Sequence, residues 1–280
     1  ASDVYKRQKQ YTDIWNNDEY LQFIFERLTI IRELLSEQGT IFMHCDWRVS
    51  GYVRLIMDEV FGKENFLNEI IWNYSGGRIG HNFFGRKHDT IFWYAKQYGQ
   101  QTFNYNEVRQ EYAESTLKRN QYKNNGSDDR VLDYKPNEDG KFPEDVWNIS
   151  IINPFAKERL DYPTQKPEKL LEQVIKAASN PGDIVFDCFM GSGTTQAVAM
   201  KLGRRFIGAD INLGAIKTTT KRLITASNDL DNTKYTGFEV YNVNNYDFFR
   251  NPVEAKSLLI DALGIQKFGS STVYLSLIHI

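Results

Sequence analysis

Apolar residues recur along the chain with two different spacings, and the switch from one to the other lays out the expected elements. Between Glu19 and Glu37, Leu21, Ile24, Phe25, Leu28, Ile31, Leu34 and Leu35 fall on one face at helical spacing, and Gly39 supplies a stop. TIFMHC, Thr40 to Cys45, predicts a buried strand, and Val53, Ile56, Met57 and Val60 predict a second helix over Arg48–Phe61, ended by Gly62. NEIIWNY (Asn68–Tyr74) and DTIFWYA (Asp89–Ala95) predict two paired strands. Their connection, SGGRIGHNFFGRKH, is long and basic for a mere linker. From Lys96 to about Asp145 the periodicity gives way to Asn, Gln, Tyr, Lys and Asp, as expected of an inserted module.

Regularity returns with TQKPEKLLEQVIKAASNPGD. Pro167 marks a helix start, Leu170, Leu171, Val174, Ile175 and Ala178 share a face, and an Asn-Pro-Gly turn follows. Ile184–Phe186, Thr194–Leu202 and Arg205–Ala209 then predict strand, helix and strand. Two βα blocks therefore flank the module. The expected fold class is α/β, a doubly wound Rossmann-like sheet with ligands at the carboxyl ends of its strands.

Composition narrows the function classes. With 280 residues, 41% hydrophobic and 14% aromatic, the chain can bury a sizeable core. No apolar run approaches the roughly 18 residues that cross a bilayer, and no charged start precedes an apolar segment, so a soluble protein is expected. The two cysteines, Cys45 and Cys188, have no ligand-like spacing and fit a reducing cytoplasm; neither zinc nor another metal is indicated. A formal charge of -2 argues against a uniformly basic nucleic-acid binder but permits a local patch.

The two ends stand apart. DVYKRQ (Asp3–Gln8) and LSLIHI (Leu275–Ile280) belong to no surrounding pattern. Back-translated, they are near reverse complements and resemble a transposase end sequence used in sequencing libraries. Residues 1–8 and 275–280 are therefore expected to lie outside the fold, and the native part to run from about Lys9 to Tyr274.

VFDCFMGSGTT, Val185 to Thr195, carries the first candidate chemistry. Asp187 ends a strand, Gly191 and Gly193 allow close backbone approach, and a helix begins at about Thr194 with its positive end toward the loop. Asp210, 19 residues after Gly191, can accept hydrogen bonds from a ribose. A nicotinamide dinucleotide and S-adenosylmethionine both fit that spacing. GSGTTQ lacks the third glycine of the dinucleotide fingerprint, and an acid before the loop repels pyrophosphate but suits an ammonium and a sulfonium.

DYPTQKPEKLLEQVIKAASNPGDIVFDCFMGSGTT as a whole resembles the join of motifs X and I in the beta group of DNA amino-methyltransferases, whose order is circularly permuted. LLSEQGTIFMHCD and HDTIFWYAK look like that group's catalytic-half segments. The resemblance implies a methyltransferase sheet with an inserted target-recognition module, and S-adenosylmethionine as cofactor. By its motifs, Asp187, Phe189, Gly191, Ser192, Gly193 and Thr194 line the cofactor, Asp210 holds the ribose, and Thr164, Gln165 and Lys166 approach the methionine end. It also implies a Pro-Pro segment that accepts hydrogens from the target amine of a flipped base. No such segment occurs in the chain; NPF, Asn153 to Phe155, is rejected as a substitute, and the segment is expected just upstream of Tyr11. No catalytic residue is assigned within the chain, which as given is expected to bind without turnover. Asp46 and His88 are candidates for the pocket wall. Strand alternation places His44 and Cys45 on opposite faces, against a Cys-His nucleophile pair.

From Ile71 to Ser127 there are eight Lys or Arg against four Asp or Glu, with twelve aromatics, a local basic patch in a net acidic chain. Arg78, Arg86, Lys87, Lys118 and Arg119 are the candidate DNA contacts. The expected organisation is a catalytic half over 9–98, a target-recognition insertion over 99–145, a cofactor-binding half over 146–250, and a C-terminal segment of unassigned role over 251–274. The function expected is site-specific methylation of an exocyclic amine in double-stranded DNA, adenine N6 ahead of cytosine N4, with a restriction subunit or a second copy as further partners. The competing readings are a non-catalytic DNA-binding specificity protein and a methyltransferase for RNA or protein.

Overall fold

The computed structural model describes residues 17–74, 81–123, 137–228, 237–243 and 274–279. The chain runs α1 (Asn17–Leu34), β1 (Thr40–Cys45), α2 (Ser50–Phe61), β2 (Phe66–Asn73), β3 (His88–Ala95), α3 (Glu114–Lys123) and β4 (Val146–Asn148). It continues through α4 (Glu168–Ala178), β5 (Ile184–Asp187), α5 (Thr194–Lys201), β6 (Arg205–Gly208), α6 (Leu213–Asn228) and β7 (Tyr274–His279). Where the periodicity predicts an element, the bounds agree within a few residues; α3, β4, α6 and β7 have no counterpart in that reading.

Among the described residues the strands form a single sheet in the order β4-β2-β3-β1-β7-β5-β6. β3 runs antiparallel to both β1 and β2, and the other pairings are parallel. Strand alternation divides the core between the two faces. Ile41, Met43 and Cys45 of β1 and Phe92 and Tyr94 of β3 pack with Ile24, Leu28, Val53 and Met57 from α1 and α2. Phe42, Ile91 and Trp93 face the opposite way, against Leu170, Leu171, Val174 and Ile175 of α4. Burying each of those α4 side chains stabilises the fold by roughly 1.5–3 kcal/mol. Cys188, just after β5, packs against the α1–α2 side, so both thiols belong to that face.

Two regions depart from the sequence reading. α3 lies in the stretch read as aperiodic; its sequence ESTLKRNQYK has almost no apolar stripe, and Lys118 and Glu114 pair across one turn. The second departure is β7. The sequence pattern places Leu275–His279 outside the fold, yet Tyr274–His279 lies between β1 and β5 and pairs in parallel with both. It fills an interior position of the sheet, where the backbone groups of β1 and β5 would otherwise lack partners on one side.

Candidate active site

The chemistry collects where β5, β1 and β2 end and the antiparallel β3 begins. β5 closes on Asp187, which is buried and has both carboxylate oxygens engaged: Oδ1 accepts from the Phe189 amide at 3.0 Å and Oδ2 from Thr195 Oγ1 at 2.6 Å. The chain then makes a tight turn. Gly191 and Gly193 have positive φ of 50° and 71°, which L side chains rarely adopt. A Cβ at Gly193 would lie 2.4 Å from Thr219 Cγ2 of α6.

α6 fixes the loop from behind. Thr219 Oγ1 donates to the Gly191 carbonyl at 3.0 Å, and Arg222 Nη1 donates to Thr194 Oγ1 at 2.8 Å and to the Ser192 carbonyl at 3.3 Å. Arg222 Nη2 also donates to Glu168 Oε1 at 2.9 Å, and Lys201 Nζ donates to Glu168 Oε2 at 2.6 Å. The loop is thereby joined to the start of α4. Asp210, beyond β6, accepts from the Gly191 amide at 2.9 Å and the Asn212 amide at 2.8 Å.

A recess opens over this loop, lined among others by Thr164, Lys166, Asp187, Met190, Ser192 and Thr194. Burial pushes the Asp187 carboxyl up to about 7, and the charge of Asp210 adds to the rise against the bonds from Thr195 and Phe189. A cation bound beside Asp187 would restore its ionised form. Lys166 is shifted the other way, lowered to about 8 by burial and partly held up by Asp89 and Asp46. A buried acid and a desolvated ammonium on one recess fit a zwitterionic, cationic ligand such as the aminoacyl and sulfonium end of S-adenosylmethionine.

Beside the recess, on the α4 face, apolar packing gives way to a polar cluster. His44 Nε2 donates to Asp89 Oδ2 at 3.1 Å, the Tyr74 hydroxyl donates to Asp89 Oδ1 at 3.1 Å, and Trp72 Nε1 donates to the Ile149 carbonyl at 2.7 Å. Burial lowers the His44 imidazole, so its Nε2 tautomer is the neutral donor. Burial would raise Asp89, but its bonds from His44 and Tyr74 and the charge of Lys166 outweigh that and hold its carboxyl low.

Of the predicted cofactor residues, Thr164, Lys166, Asp187, Phe189, Gly191, Ser192 and Thr194 line the recess. Gly193, Gln165 and Asp210 are not among its lining. Gly193 serves the turn, and the Gln165 amide is used on the preceding segment, donating to the Glu158 carbonyl at 2.5 Å and accepting from the Leu160 amide at 2.8 Å. Asp210 serves as the loop's tether. Asp46 is held by Arg48, whose amide and guanidinium donate to it at 2.9 and 2.8 Å. His88 is exposed, and it is the neighbouring Asp89 that joins the cluster. NPF carries an Asn153 side chain that accepts from the Phe155 amide at 2.9 Å, with Phe155 96% exposed. The sequence reading missed Thr195, Arg222 and Tyr74. A threonine inside the motif offered a signal for the first; the other two act across the fold.

In the loop between β2 and β3, the Arg86 guanidinium stacks 3.7 Å from the Trp47 ring centroid and 4.7 Å from that of Phe83, and the next aromatic, Phe84, is 99% exposed. Lys87 anchors the loop through its carbonyl, which accepts from the Tyr74 amide at 2.9 Å. Lys118 is exposed on α3 and paired with Glu114 at 3.1 Å. Arg78 and the Arg119 side chain lie outside the described residues.

A family model described as DNA methylase matches residues 1–221. The chain is 32% identical over 221 residues to DNA adenine methyltransferase YhdJ of Escherichia coli (strain K12), covering 77% of this chain and 70% of that protein. It is 33% identical over 221 residues to Type II methyltransferase M.HpaI of Haemophilus parainfluenzae, covering 78% of this chain and 64% of that protein, a little under two thirds of its length. The fold is shared with the PvuII cytosine-N4-specific DNA methyltransferase, at a TM-score of 0.56 and 14% identity, over 96% of this chain and 83% of that one. It is also shared with M1.HpyAVI in its SAM complex, at a TM-score of 0.51 and 23% identity, over 74% and 85%.

Proposed function

The chain belongs to the N6/N4 DNA methylase family, and from that premise we propose that it binds S-adenosylmethionine and serves methylation of an exocyclic amine in double-stranded DNA, adenine N6 ahead of cytosine N4. The observation that carries the reading is the pairing of a buried acid with a glycine turn: Asp187, raised to about 7, beside Gly191 and Gly193 at the start of α5. When bound, the sulfonium supplies an electrophilic methyl group for a nucleophilic base amine. In this reading Asp187 faces the ligand's positive charge, Lys166 its carboxylate, and Asp210 its ribose. The adenine preference is supported by the name of the relative that is 32% identical.

The order of the elements supports a permuted arrangement, with the HCD strand β1 ahead of the cofactor strand β5. Target recognition is assigned to the basic, aromatic loop holding Arg86 and Lys87 and to the insertion carrying Lys118, with Arg78 and Arg119 as further phosphate contacts. A restriction subunit or a second copy of the chain would complete a modification system.

Titration calorimetry with S-adenosylmethionine and with NAD tests the cofactor assignment. Binding of the first and not the second is expected, with loss on Asp187→Ala and weaker nucleoside binding on Asp210→Ala. Binding of NAD alone would overturn the reading.

A further inference from the structure

Two phenylalanines stand almost fully in solvent on the same rim of the sheet. Phe84 is 99% exposed in the β2–β3 loop and Phe155 is 96% exposed in the segment between β4 and α4, the two most exposed aromatic side chains among the described residues. Apolar surface held out in this way suits a contact with a partner. β4, β2 and β3 are neighbours in the sheet, and both loops leave from one junction. The Tyr74 amide donates to the Lys87 carbonyl at 2.9 Å, and the Ile149 amide donates to the Asn73 carbonyl at 3.2 Å. The two loops therefore flank the end of β2, beside the cluster of His44, Asp89 and Tyr74.

Each ring is presented by a braced loop. Arg86, stacked on Trp47 and Phe83, ties the first to the turn after β1. In the second, Asn153 closes a turn, its side chain accepting from the Phe155 amide and its carbonyl from the Ala156 amide, both at 2.9 Å. The Glu158 carboxylate is turned inward, accepting from the Glu168 amide at 2.9 Å. The same segment runs on to Tyr162, which packs so closely on the cofactor turn that a Cβ at Gly191 would lie 3.3 Å from its Cε1.

The charges around the rings point to the occupant. Arg86 is exposed near Phe84, and the exposed Lys157 and Arg159 follow Phe155, with Arg159 paired to Asp161 at 2.7 Å. An apolar protein surface would strip these cations of water without an answering charge. A nucleic acid meets them with phosphates and offers the rings a base step to enter. An exocyclic amine in a duplex is reached by taking its base out of the stack, and an apolar side chain entering the stack offsets part of that cost. We propose that Phe84 and Phe155 are wedges that enter the base stack of double-stranded DNA beside the extruded nucleotide, from two loops on either side of the β2 end. This rests on the DNA-methylation reading above.

Anisotropy titrations with two labelled probes test it: a mixed-sequence duplex, and the same duplex with one abasic site, where the stack is already interrupted. The parent chain should bind the abasic duplex more tightly. Phe84→Ala and Phe155→Ala should each weaken that complex by roughly tenfold, the order of one aromatic–base stack, and shrink the preference for the abasic probe. Their slope of log affinity against log salt should match that of the parent, since no cation is removed. Phe84→Leu and Phe155→Leu keep an apolar wedge and should recover most of the loss. Thermal melts of all four variants should coincide with the parent, because both rings lie in solvent. Equal affinity of the parent for the two probes, parent-like binding by both alanine variants, or a loss that follows the salt slope would overturn the inference. A changed sedimentation coefficient with unchanged DNA affinity would also overturn it and assign the rings to a second copy of the chain. A parent that binds neither duplex would instead overturn the DNA reading on which the inference rests.

Discussion

The two sides of the site are built on opposite plans. On the cofactor side the Gly191–Thr195 turn is bonded from within the protein, its carbonyls taken by Thr219 and Arg222 and its first amide by Asp210. On the target side the loop around Arg86 is held by cation–ring stacking on Trp47 and Phe83, with Phe84 left in solvent. The first is set before any ligand arrives, and its binding energy is not spent on ordering the loop. The second presents charge and an exposed aromatic surface. Damage on the first side should therefore register as lost stability, and on the second as lost affinity without lost stability.

Gly193→Val makes the sharpest test of that contrast. It combines a left-handed backbone with a collision against Thr219, and should destabilise the chain by about 2–5 kcal/mol in urea unfolding and eliminate cofactor binding. A stable, binding-competent variant would show that the turn is not preset.

Next in size is Arg222→Met, which leaves the Ser192 carbonyl and one side of Glu168 without their partner. Because Glu168 keeps Lys201 and part of its solvent exposure, the expected loss is about 2 kcal/mol, again by urea unfolding.

The pH dependence has a definite sign. Burial raises Asp187 in the fold to about 7, so the unfolded chain ionises first. The stability this group contributes is complete below the ordinary aspartate range and is lost as pH rises to about 7. Asp187→Asn should flatten that part of the curve in thermal melts between pH 4 and 8. A cationic cofactor favours the carboxylate, so saturating S-adenosylmethionine should also reduce the slope, with proton release on binding near neutral pH. An unchanged curve in the variant would mean that Asp187 is already ionised through its bonds to Thr195 and Phe189.

The smallest stability effect belongs to the target side. Arg86→Ala and Lys118→Ala should leave unfolding within about 0.5 kcal/mol of the parent. In DNA titrations each should lower the slope of log affinity against log salt by about one unit if it meets a phosphate. A stability loss comparable to that of Arg222→Met would erase the distinction between the two sides.

The difference in plan also explains what could be read from the sequence. The strands and helices around the cofactor were legible because their apolar spacing and the GSGTT turn are local, and the recess gathers most of the residues those motifs named. Asp210 and Gln165, named for the ribose and the methionine end, lie outside the recess lining, and the bonds they make are to backbone, which spacing cannot reveal. Arg222 lies on a helix with no local mark of its role; it matters because α6 packs behind a loop 28 residues earlier. His44 and Asp89 lie on β1 and β3 and Tyr74 just past the end of β2, and only the register between the three brings one carboxylate to both donors. β7 lay beyond reach for a further reason: a short apolar run becomes an interior strand of a sheet only through partners on both sides.

The two thiols give the molecule an internal gauge. Cys45 is fully enclosed beneath α1 and α2, and burial pushes it up to about 12, whereas Cys188 sits at the rim of the same layer beside Asp187, also shifted upward by burial. A thiol modifies only as its thiolate and only when reached. Alkylation of Cys188 thus times the loosening of the cofactor strand's end, and alkylation of Cys45 times the lifting of the helical layer as a whole. The native chain therefore carries two clocks, one for local breathing and one for global opening, with no label added.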